Sequence, residues 1–523
     1  MVQEQRKKRS LFDRFISGVE FVGNKLPHPF WIFVILIGII AVLSWILSIA
    51  DVSVTYTAAA RSAGDAPKQV TETVKNLMSL DVLKDYLVNF TKNYAGFWPM
   101  GLVMSMMVGI GVAEHSGLIM ALMRRAILGA PMVMITAIIA LVGINSNLAS
   151  DAGVVFTPAI AAAMFKALGL NPWVGIIAGY AAANGGFTAN FFIAGTDALL
   201  SGITGSVTSA ANIDAPVHPL MNWYFMMAAT VVIAVATVLV TKYFLIPHLG
   251  GNKGGLDLEE ISKHALNEDE KRGLRWSRNT AIAFFLLLIV AVFPESSFLR
   301  NPDGTLLPRS PLIGSIVGLL FFFFVFVGIS YGYGAKTIRS SADIPAMMQK
   351  GLASALGFLV VALPAAIFIS LFNESKVATV LAVKGADVLM AANLTGIPLF
   401  ILFILISAFV NLFITAGSAK WLIMAPIFVP MLAMMGFSPA MTQVMYRIGD
   451  SCTNIISPID YYVPVIIGLL EAYRTDPDRK VGIGTLISLS FPFSLAYLIG
   501  LFALLMVWYT LKLPLGPGVS MFM

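Results

Sequence analysis

Charged side chains are scarce in this sequence of 523 residues, at 12% of the total against 58% hydrophobic residues. A soluble globular chain carries about 25% charged residues. The scarcity excludes an ordinary soluble protein, and repeated apolar runs of about 20 residues predict a polytopic all-α membrane protein in the lipid bilayer. The net charge of +6 does not indicate a nucleic-acid partner, because the basic residues lie in short segments between apolar runs.

Cysteine and histidine are also rare, and their scarcity narrows the chemistry. Cys452 is the single cysteine, which excludes an intrachain disulfide, and five scattered histidines argue against a Cys/His zinc site. The sequence has no HExxH motif and no Walker A loop. We therefore predict neither an enzyme nor a bound cofactor, and no ATP-driven pump.

The first apolar run, residues 30–49, follows a basic N-terminus that includes Arg6, Lys7 and Lys8. It is too long for the core of a cleaved signal peptide. We predict that it is an uncleaved first span and that residues 1–29 are cytoplasmic. A polar segment at 51–94 follows, which we expect to be helical. The later spans are predicted at about 97–112, 172–196, 223–245, 280–293, 311–329, 353–371, 439–460 and 483–511.

The stretch from residue 416 to residue 460 is apolar but is interrupted twice by small and polar residues. Each unpaired backbone amide in hydrocarbon costs several kcal/mol, so irregular backbone at this depth indicates a cavity lined by protein. Arg447 and Asp450 lie inside the stretch, and a charge at the bilayer centre costs roughly 2.5–3.5 kcal/mol on insertion scales. Binding of a solute or an ion is the hypothesis that follows.

The same pattern of apolar arm, polar tip, apolar arm, proline and broken helix occurs earlier in the chain. Tyr180 and Asn184 have the spacing of Tyr446 and Asp450. We interpret each arm–tip–arm as a re-entrant hairpin, which predicts about nine transmembrane helices, two hairpins and two broken helices. The first hairpin then opens inside and the second outside, so the repeats are inverted.

Together with the cytoplasmic N-terminus at 1–29, the repeats and the segments between them divide the chain into five parts. The first repeat covers 30–249, with hairpin 1 at about 117–168 and a broken helix at 172–196. A cytoplasmic linker at 250–278 and scaffold helices at 279–350 precede the second repeat at 351–523. That repeat holds hairpin 2 at about 388–436 and a broken helix at 439–460. The Lys- and Arg-rich segments at 250–278, 336–350 and 474–480 all fall on the cytoplasmic side.

Several segments in order along the chain resemble the p-aminobenzoyl-glutamate transporter (AbgT) family. The segments are GNKLPHP at 23–29, GFTAN at 186–190, NWYFM at 222–226, GSAKW at 417–421, APIFVP at 425–430 and LGPG at 515–518. The resemblance implies a dimer in the bacterial inner membrane that carries p-aminobenzoyl-glutamate or exports sulfonamide antimetabolites, and with them antibiotic resistance. The family's functional positions match Asp197, Ser418, Trp421, Pro439, Arg447, Asp450 and Pro458. One departure is Lys420, where an apolar residue is expected; it either alters solute preference or points away.

For four of these residues the sequence leaves more than one interpretation. Arg447 suits a carboxylate or sulfonyl group, since a guanidinium makes paired hydrogen bonds, or it pairs internally with Asp450. Asp450 accepts a proton, stays ionised or holds sodium. Asp197 is a coupling carboxylate or an external loop residue. Trp421 stacks on an aromatic solute or belongs to an interfacial belt.

Oxygen-bearing side chains at the tips and breaks suit a hard cation, and the alternative is helix capping. We predict sodium as the only metal, with either sodium or a proton as the coupling ion. The candidate ion-coupling residues are Asn145, Ser146, Asn147, Ser150, Asp151, Asn184, Thr188, Asn190, Asp197, Asp450 and Asn454.

The function predicted from these observations is secondary active transport of p-aminobenzoyl-glutamate-like anions or export of sulfonamides. A cation-coupled dicarboxylate transporter of the same architecture is the alternative. Asp197 and Asp450 could imitate an intramembrane aspartyl protease pair, but Arg447 stands before Ile448 where the glycine–aspartate motif needs glycine. A channel is disfavoured by the mirrored repeats and Arg447.

Overall fold

The computed structural model describes residues 27–58, 68–128, 134–186, 189–249, 265–353, 355–474 and 481–523. Almost all of this chain is helical. The helices are α1 (Pro29–Ile49), α2 (Leu80–Val88), α3 (Phe90–Ala95), α4 (Trp98–His115), α5 (Leu118–Leu128), α6 (Ile135–Asn145), α7 (Ser150–Ala167), α8 (Pro172–Gly185), α9 (Gly195–Ala210), α10 (Trp223–Val240), α11 (Glu268–Val292), α12 (Ile316–Gly334), α13 (Asp343–Ala353), α14 (Leu356–Glu374), α15 (Val377–Ala391), α16 (Ile397–Asn411), α17 (Gly417–Met434), α18 (Pro439–Thr453), α19 (Val463–Ala472) and α20 (Ile483–Leu511). A π-helical turn, Thr241–Leu245, extends α10 to Leu249.

Seven helices in the described ranges are long and apolar enough to cross a membrane, and an eighth crossing is the bent pair α4 and α5. One of the seven, α17, is an arm of hairpin 2. The other six, the bent pair and the two broken helices account for the nine predicted spans. Helix α11 begins at Glu268 rather than near 280, because Asn267 and Glu270 form a reciprocal cap there.

Two predictions about the first third of the chain are wrong. The segment at 51–94 is not helical throughout: β1 (Ser53–Ala58) and β2 (Lys68–Thr73) pair antiparallel, with Val54 opposite Glu72. Its alternating, β-branched residues favour strands. The apolar stretch at 118–142 is not one hairpin arm either. Helix α5 leaves α4 at 55°, and Gly117 between them has φ of 93°, a conformation that favours glycine.

Both hairpins and both broken helices are present. Helices α6 and α7 meet at the turn Ser146–Ala149 to form hairpin 1, and α16 and α17 form hairpin 2. Each broken helix has a second half that the sequence analysis missed. Helix α8 stops at Gly185 and the chain resumes as α9, while α18 ends at Thr453 and resumes as α19 after the short turn Asn454–Ile456.

Small residues let each hairpin approach its broken helix closely. A side chain at Gly175 in α8 would meet the Ala161 carbonyl of α7, at 2.4 Å from the added carbon. In the second half, a side chain at Gly449 in α18 would meet Ser407 of α16 at 2.7 Å. Such contacts between backbones are how membrane helices associate, since lipid supplies no hydrophobic driving force. Each hairpin and its broken helix therefore form one packed unit.

The buried apolar residues form two clusters. One cluster joins the hairpins and broken helices with α1, α10, α14 and α20. The other joins α4, α5, α11 and α12 at one side of the molecule. The second cluster also includes Ala198 of α9, so these four helices, the candidate scaffold, pack directly against the first broken helix.

The C-terminal segment, residues 512–523, ties the two repeats together. The Leu515 carbonyl accepts from the Tyr224 amide at 3.0 Å at the start of α10. The Met521 carbonyl accepts from the Ser438 amide at 2.9 Å, just before α18. His218, buried in the loop before α10, places Nε2 3.2 Å from the Pro517 carbonyl oxygen. Its Nδ1 is buried without a hydrogen-bond partner among the described residues.

We expect the C-terminal segment to loosen in acid. Burial lowers the pKa of His218 to about 4, against about 6.5 in an unfolded chain. The unfolded form therefore binds the proton first. The contribution of neutral His218 to the free energy of unfolding is fully present above about pH 6.5. It decreases by up to about 3 kcal/mol as the pH falls toward about 4. The measurement is hydrogen exchange of residues 513–523 across this range, corrected for intrinsic rates. His218→Gln, which cannot titrate, should abolish the change, and identical pH dependence in both proteins would contradict the assignment.

Candidate functional site

The two breaks meet at the centre of the molecule through a symmetric pair of asparagines. Asn184 Nδ2 donates to the Asn454 carbonyl, and Asn454 Nδ2 donates to the Asn184 carbonyl, both at 3.4 Å. Asn184 also donates to Asp460 Oδ2 at 2.6 Å and to the Tyr180 hydroxyl at 3.1 Å. The asparagines thus satisfy backbone carbonyls that each break leaves without a helical partner. The reciprocal hydrogen bonds join the first break directly to the second.

Arg447 pairs with Asp197 across the two repeats. Its Nη1 lies 2.8 Å from Asp197 Oδ1, and both side chains are buried. The second carboxylate oxygen accepts from the Ala194 amide at 2.9 Å and from Asn190 Nδ2 at 3.1 Å. Asp197 lies in the first turn of α9, where the helix dipole favours an anion, so the alternative of an external loop residue is wrong.

The alternative pairing of Arg447 with Asp450 is also wrong. Arg447 Nη2 lies 3.4 Å from Gln443 Oε1, one turn toward the N-terminus of α18. Side chains on a helix lean toward its N-terminus, so Arg447 extends away from Asp450. Asp450 Oδ1 instead accepts from Lys420 Nζ at 2.6 Å, and neither side chain reaches solvent. Lys420 therefore points into the site rather than away from it.

Trp421 forms an aromatic wall beside Arg447. Its ring centre lies 4.6 Å from that of Tyr446, at an interplanar angle of 39°. Its Nε1 donates to Thr204 Oγ1 at 2.9 Å, and the same hydroxyl accepts from Gln443 Nε2 at 2.8 Å. The side chain is fully buried, which places it inside the protein and not in an interfacial belt.

The first hairpin tip is held to the first break by amides. Asn145 Oδ1 accepts from the Phe191 amide at 2.9 Å, and Asn147 Nδ2 donates to Asn190 Oδ1. Asn145 thus bonds the irregular backbone of the break and also donates from Nδ2 to the Leu141 carbonyl of its own arm at 2.9 Å, while Asn147 bonds the Asn190 side chain. The Ser146 hydroxyl is buried with no partner within the described ranges. Of the remaining predicted ion ligands, Thr188 lies outside the described residues, and only the backbone of Ser150 and Asp151 is described.

A cavity of about 210 Å³ lies between the second tip and the breaks. Ser418 and Asn454 contribute to its wall, and Pro458 is buried in the second break. Pro439 is not near the cavity, because it opens α18 about 20 Å along the helix from Asn454. The cavity is lined by Asn184, Thr196, Leu199, Leu200, Thr415, Ala416, Gly417, Ser418, Asn454, Asp460, Tyr461 and Tyr462. The structure thus brings the described candidate residues to the region where the breaks and tips meet, with the exception of Pro439.

Several residues of this region were missed from the sequence. Thr204 and Gln443 lie among other polar residues on α9 and α18, and Asn411 ends the apolar helix α16. Polar side chains at membrane depth are costly, and that cost was the available signal. Asp460 follows the second break and could have been found by the same reasoning. In the part of the chain that is described, no group of three or more His, Cys, Asp or Glu residues is arranged to hold a metal ion.

We expect Thr204→Val to destabilise this wall. Valine keeps the shape of threonine but leaves the Trp421 and Gln443 donors without their acceptor, which costs about 1–3 kcal/mol for each buried group. Thr208→Val is the matched control, since the Thr208 hydroxyl bonds only to the Gly205 carbonyl of its own helix, at 3.0 Å. The measurement is the thermal unfolding midpoint of both purified variants. Equal midpoints would show that Thr204 does not hold the wall.

Comparisons with known proteins agree on one family. The sequence model of the "AbgT putative transporter family" matches residues 14–523. The chain is 37% identical over 501 residues, 96% of each chain, to the p-aminobenzoyl-glutamate transport protein of Escherichia coli (strain K12).

Two crystal structures are similar along nearly the whole chain. The Neisseria gonorrhoeae MtrF structure, from a class of antimetabolite efflux pumps, matches with TM-score 0.89 and 38% identity over 97% of this chain and 100% of that one. The Alcanivorax borkumensis YdaH transporter matches with TM-score 0.83 and 32% identity over 94% and 100%. The family model and the relative from Escherichia coli match nearly the whole chain, including the hairpins, the broken helices and the buried ion pairs. This chain therefore belongs to the AbgT family of membrane transporters.

Proposed function

We propose that this transporter is a secondary active carrier of anionic aromatic–amino acid conjugates of the p-aminobenzoyl-glutamate kind. Export of sulfonamide antimetabolites is the same transport activity in the outward direction. The names of the relatives support this substrate class, since one is a p-aminobenzoyl-glutamate transport protein and another is an antimetabolite efflux pump. A proton or sodium gradient drives the cycle.

The observation that carries the proposal is the buried Arg447–Asp197 pair, which is linked to Trp421 through Gln443 and Thr204. A guanidinium binds a carboxylate with two parallel hydrogen bonds, so a solute carboxylate and Asp197 compete for the same group. Solute binding then releases Asp197 from Arg447. A freed carboxylate in a low-dielectric site needs a new positive charge, which a coupling proton or sodium ion supplies. Exchange of partners at Arg447 thereby links solute to ion.

The aromatic wall supports an aromatic solute. Trp421 and Tyr446 present two adjacent rings, and offset aromatic pairs are worth about 0.5–1.5 kcal/mol beyond the area that they bury. A dicarboxylate such as succinate would use Arg447 but gain nothing from these rings. Competition by succinate as strong as that by p-aminobenzoyl-glutamate would favour the alternative dicarboxylate function.

The site is closed in this conformation, which supports alternating access. Arg447 is 2% exposed and Trp421 is not exposed at all, so a solute reaches neither without movement. We propose that the hairpins and broken helices move as a unit against the scaffold of α4, α5, α11 and α12. Rigid rocking of one repeat unit against another is the usual motion of inverted-repeat transporters.

Assembly and orientation are proposed on the family resemblance. We propose a homodimer in the bacterial inner membrane with a cytoplasmic N-terminus. The basic segments near 271–278 and 336–350 then face the cytoplasm, in agreement with the preference of Lys and Arg for that side.

We expect Arg447→Ala and Asp450→Ala each to abolish transport. Truncating one partner of a buried charge pair costs about 2–5 kcal/mol, which corresponds to a rate loss on the order of 100-fold. The assay is uptake of labelled p-aminobenzoyl-glutamate, and of a sulfonamide, into liposomes under separate sodium and proton gradients.

Arg309→Ala is the matched control, because Arg309 pairs with Asp214 at 2.5 Å on the exposed surface. Such surface pairs are worth about 0–1 kcal/mol, so this variant should transport normally. Wild-type rates in Arg447→Ala and Asp450→Ala would refute the site. No movement of either solute by the wild type would refute the substrate class.

A further inference from the structure

The Lys420 ammonium lies where hairpin 2 meets α18, in the first turn of α17. Its Nζ donates to Asp450 Oδ1 at 2.6 Å and to Asn411 Oδ1, and lies 5.1 Å from the centre of the Tyr446 ring. An ammonium has three donors and no acceptor, so two oxygens and the face of an aromatic ring suit it well. The side chain is wholly enclosed by protein.

These surroundings have the chemistry of a site for a free cation. A carboxylate oxygen and an amide oxygen converge on one point, and hard cations prefer such ligands. The point lies near the C-terminal end of the half-helix α18, where the helix dipole favours positive charge. Secondary transporters hold their coupling cations at such half-helix ends.

The Asn411 side chain shows that the oxygens are positioned for a cation. Its Nδ2 is directed to the Thr453 hydroxyl at 2.8 Å, to Asn454 Oδ1 at 2.7 Å and to the Asp450 carbonyl at 3.2 Å. These contacts fix the amide plane and leave Oδ1 facing Lys420. Asp450 is oriented in the same way, because its second oxygen accepts from Asn454 Nδ2 at 3.1 Å. Both ligands are therefore held in place by neighbours other than Lys420.

We propose that Lys420 is a tethered cation: its ammonium fills a monovalent cation site formed by Asn411 and Asp450. The inference rests on the proposed function, since it concerns how that transporter is coupled. A free cation enters and leaves such a site during transport, whereas Lys420 is covalently part of hairpin 2. The cation at this site in the second repeat is therefore part of the protein, and no exchangeable sodium ion binds between Asn411 and Asp450. Hairpin 2 and α18 stay joined through the ammonium and move as one body.

The first test is cation-dependent stability, which requires no solute. Lys420→Ala removes the ammonium and leaves room beside Asp450. In choline chloride its unfolding midpoint should fall below that of the wild type. Sodium or methylammonium chloride at equal ionic strength should raise the midpoint of Lys420→Ala selectively. Lys384→Ala, which removes an exposed lysine from the neighbouring helix α15, is the control and should show no such response to methylammonium.

The second test is transport of labelled p-aminobenzoyl-glutamate in liposomes. In choline, Lys420→Ala should be slower than Lys384→Ala by about tenfold or more, because it leaves a buried carboxylate uncompensated. Methylammonium should restore a part of the rate in Lys420→Ala and leave the wild type and Lys384→Ala unchanged. A wild type that moves no p-aminobenzoyl-glutamate would count against the proposed function alone, since the stability test stands without it.

The Lys420→Ala/Asp450→Asn double variant separates charge from packing. It buries no unpaired carboxylate, so it should be more stable than Lys420→Ala in choline and should not respond to sodium or methylammonium. If Lys420→Ala is too unstable to purify, purification of the double variant supports the proposal. Equal instability of both variants, or a Lys420→Ala protein that is stable and indifferent to cations, would overturn it.

Discussion

The structure depends on the need to neutralise charge inside a medium of low dielectric constant. Asp197 and Asp450 are buried, and an isolated carboxylate there would lose its hydration without compensation. Arg447 and Lys420 supply the compensation, and each pair joins two separate elements. Arg447 on α18 joins the second repeat to α9 of the first, while Lys420 joins hairpin 2 to α18. Buried pairs of this kind contribute little net stability but penalise wrong arrangements, so here they define how the repeats meet.

The same principle governs the irregular backbone. The two breaks leave carbonyl and amide groups without helical partners, and no lipid can satisfy them. Asparagine side chains do so instead: Asn184 and Asn454 exchange hydrogen bonds across the two repeats, and Asn145 secures the first break. Because each asparagine belongs to one element and bonds to another, movement of one element changes the hydrogen bonding of its neighbour. When Arg447 exchanges one partner for another, the hydrogen bonding of both hairpins can therefore change.

Much of the architecture could be predicted from apolar runs and their interruptions. The spans, the two hairpins and the broken helices follow from run length, small polar breaks and the repeated Tyr–x–x–x–(Asn/Asp) spacing. The family follows instead from the resemblance of short segments such as GSAKW at 417–421. The errors occurred where local pattern was ambiguous. The 51–94 segment is too polar for its strands to stand out, and the bend at Gly117 interrupts an apolar run without a proline. The second halves of the broken helices were missed because α9 is rich in glycine, serine and threonine and α19 has only 10 residues.

The sequence by itself determined which side chains are candidates for the site, since Arg447, Asp450, Asp197 and Trp421 are conspicuous in an apolar chain. Only the tertiary structure decided their partners. Arg447 and Asp450 are three residues apart, yet each pairs with a distant residue: Asp197 is 250 positions from Arg447, and Lys420 is 30 positions from Asp450. The reason is physical. Sequence spacing places residues on one face of a helix, but the direction of a side chain and the packing of other helices against it select the charge that it meets.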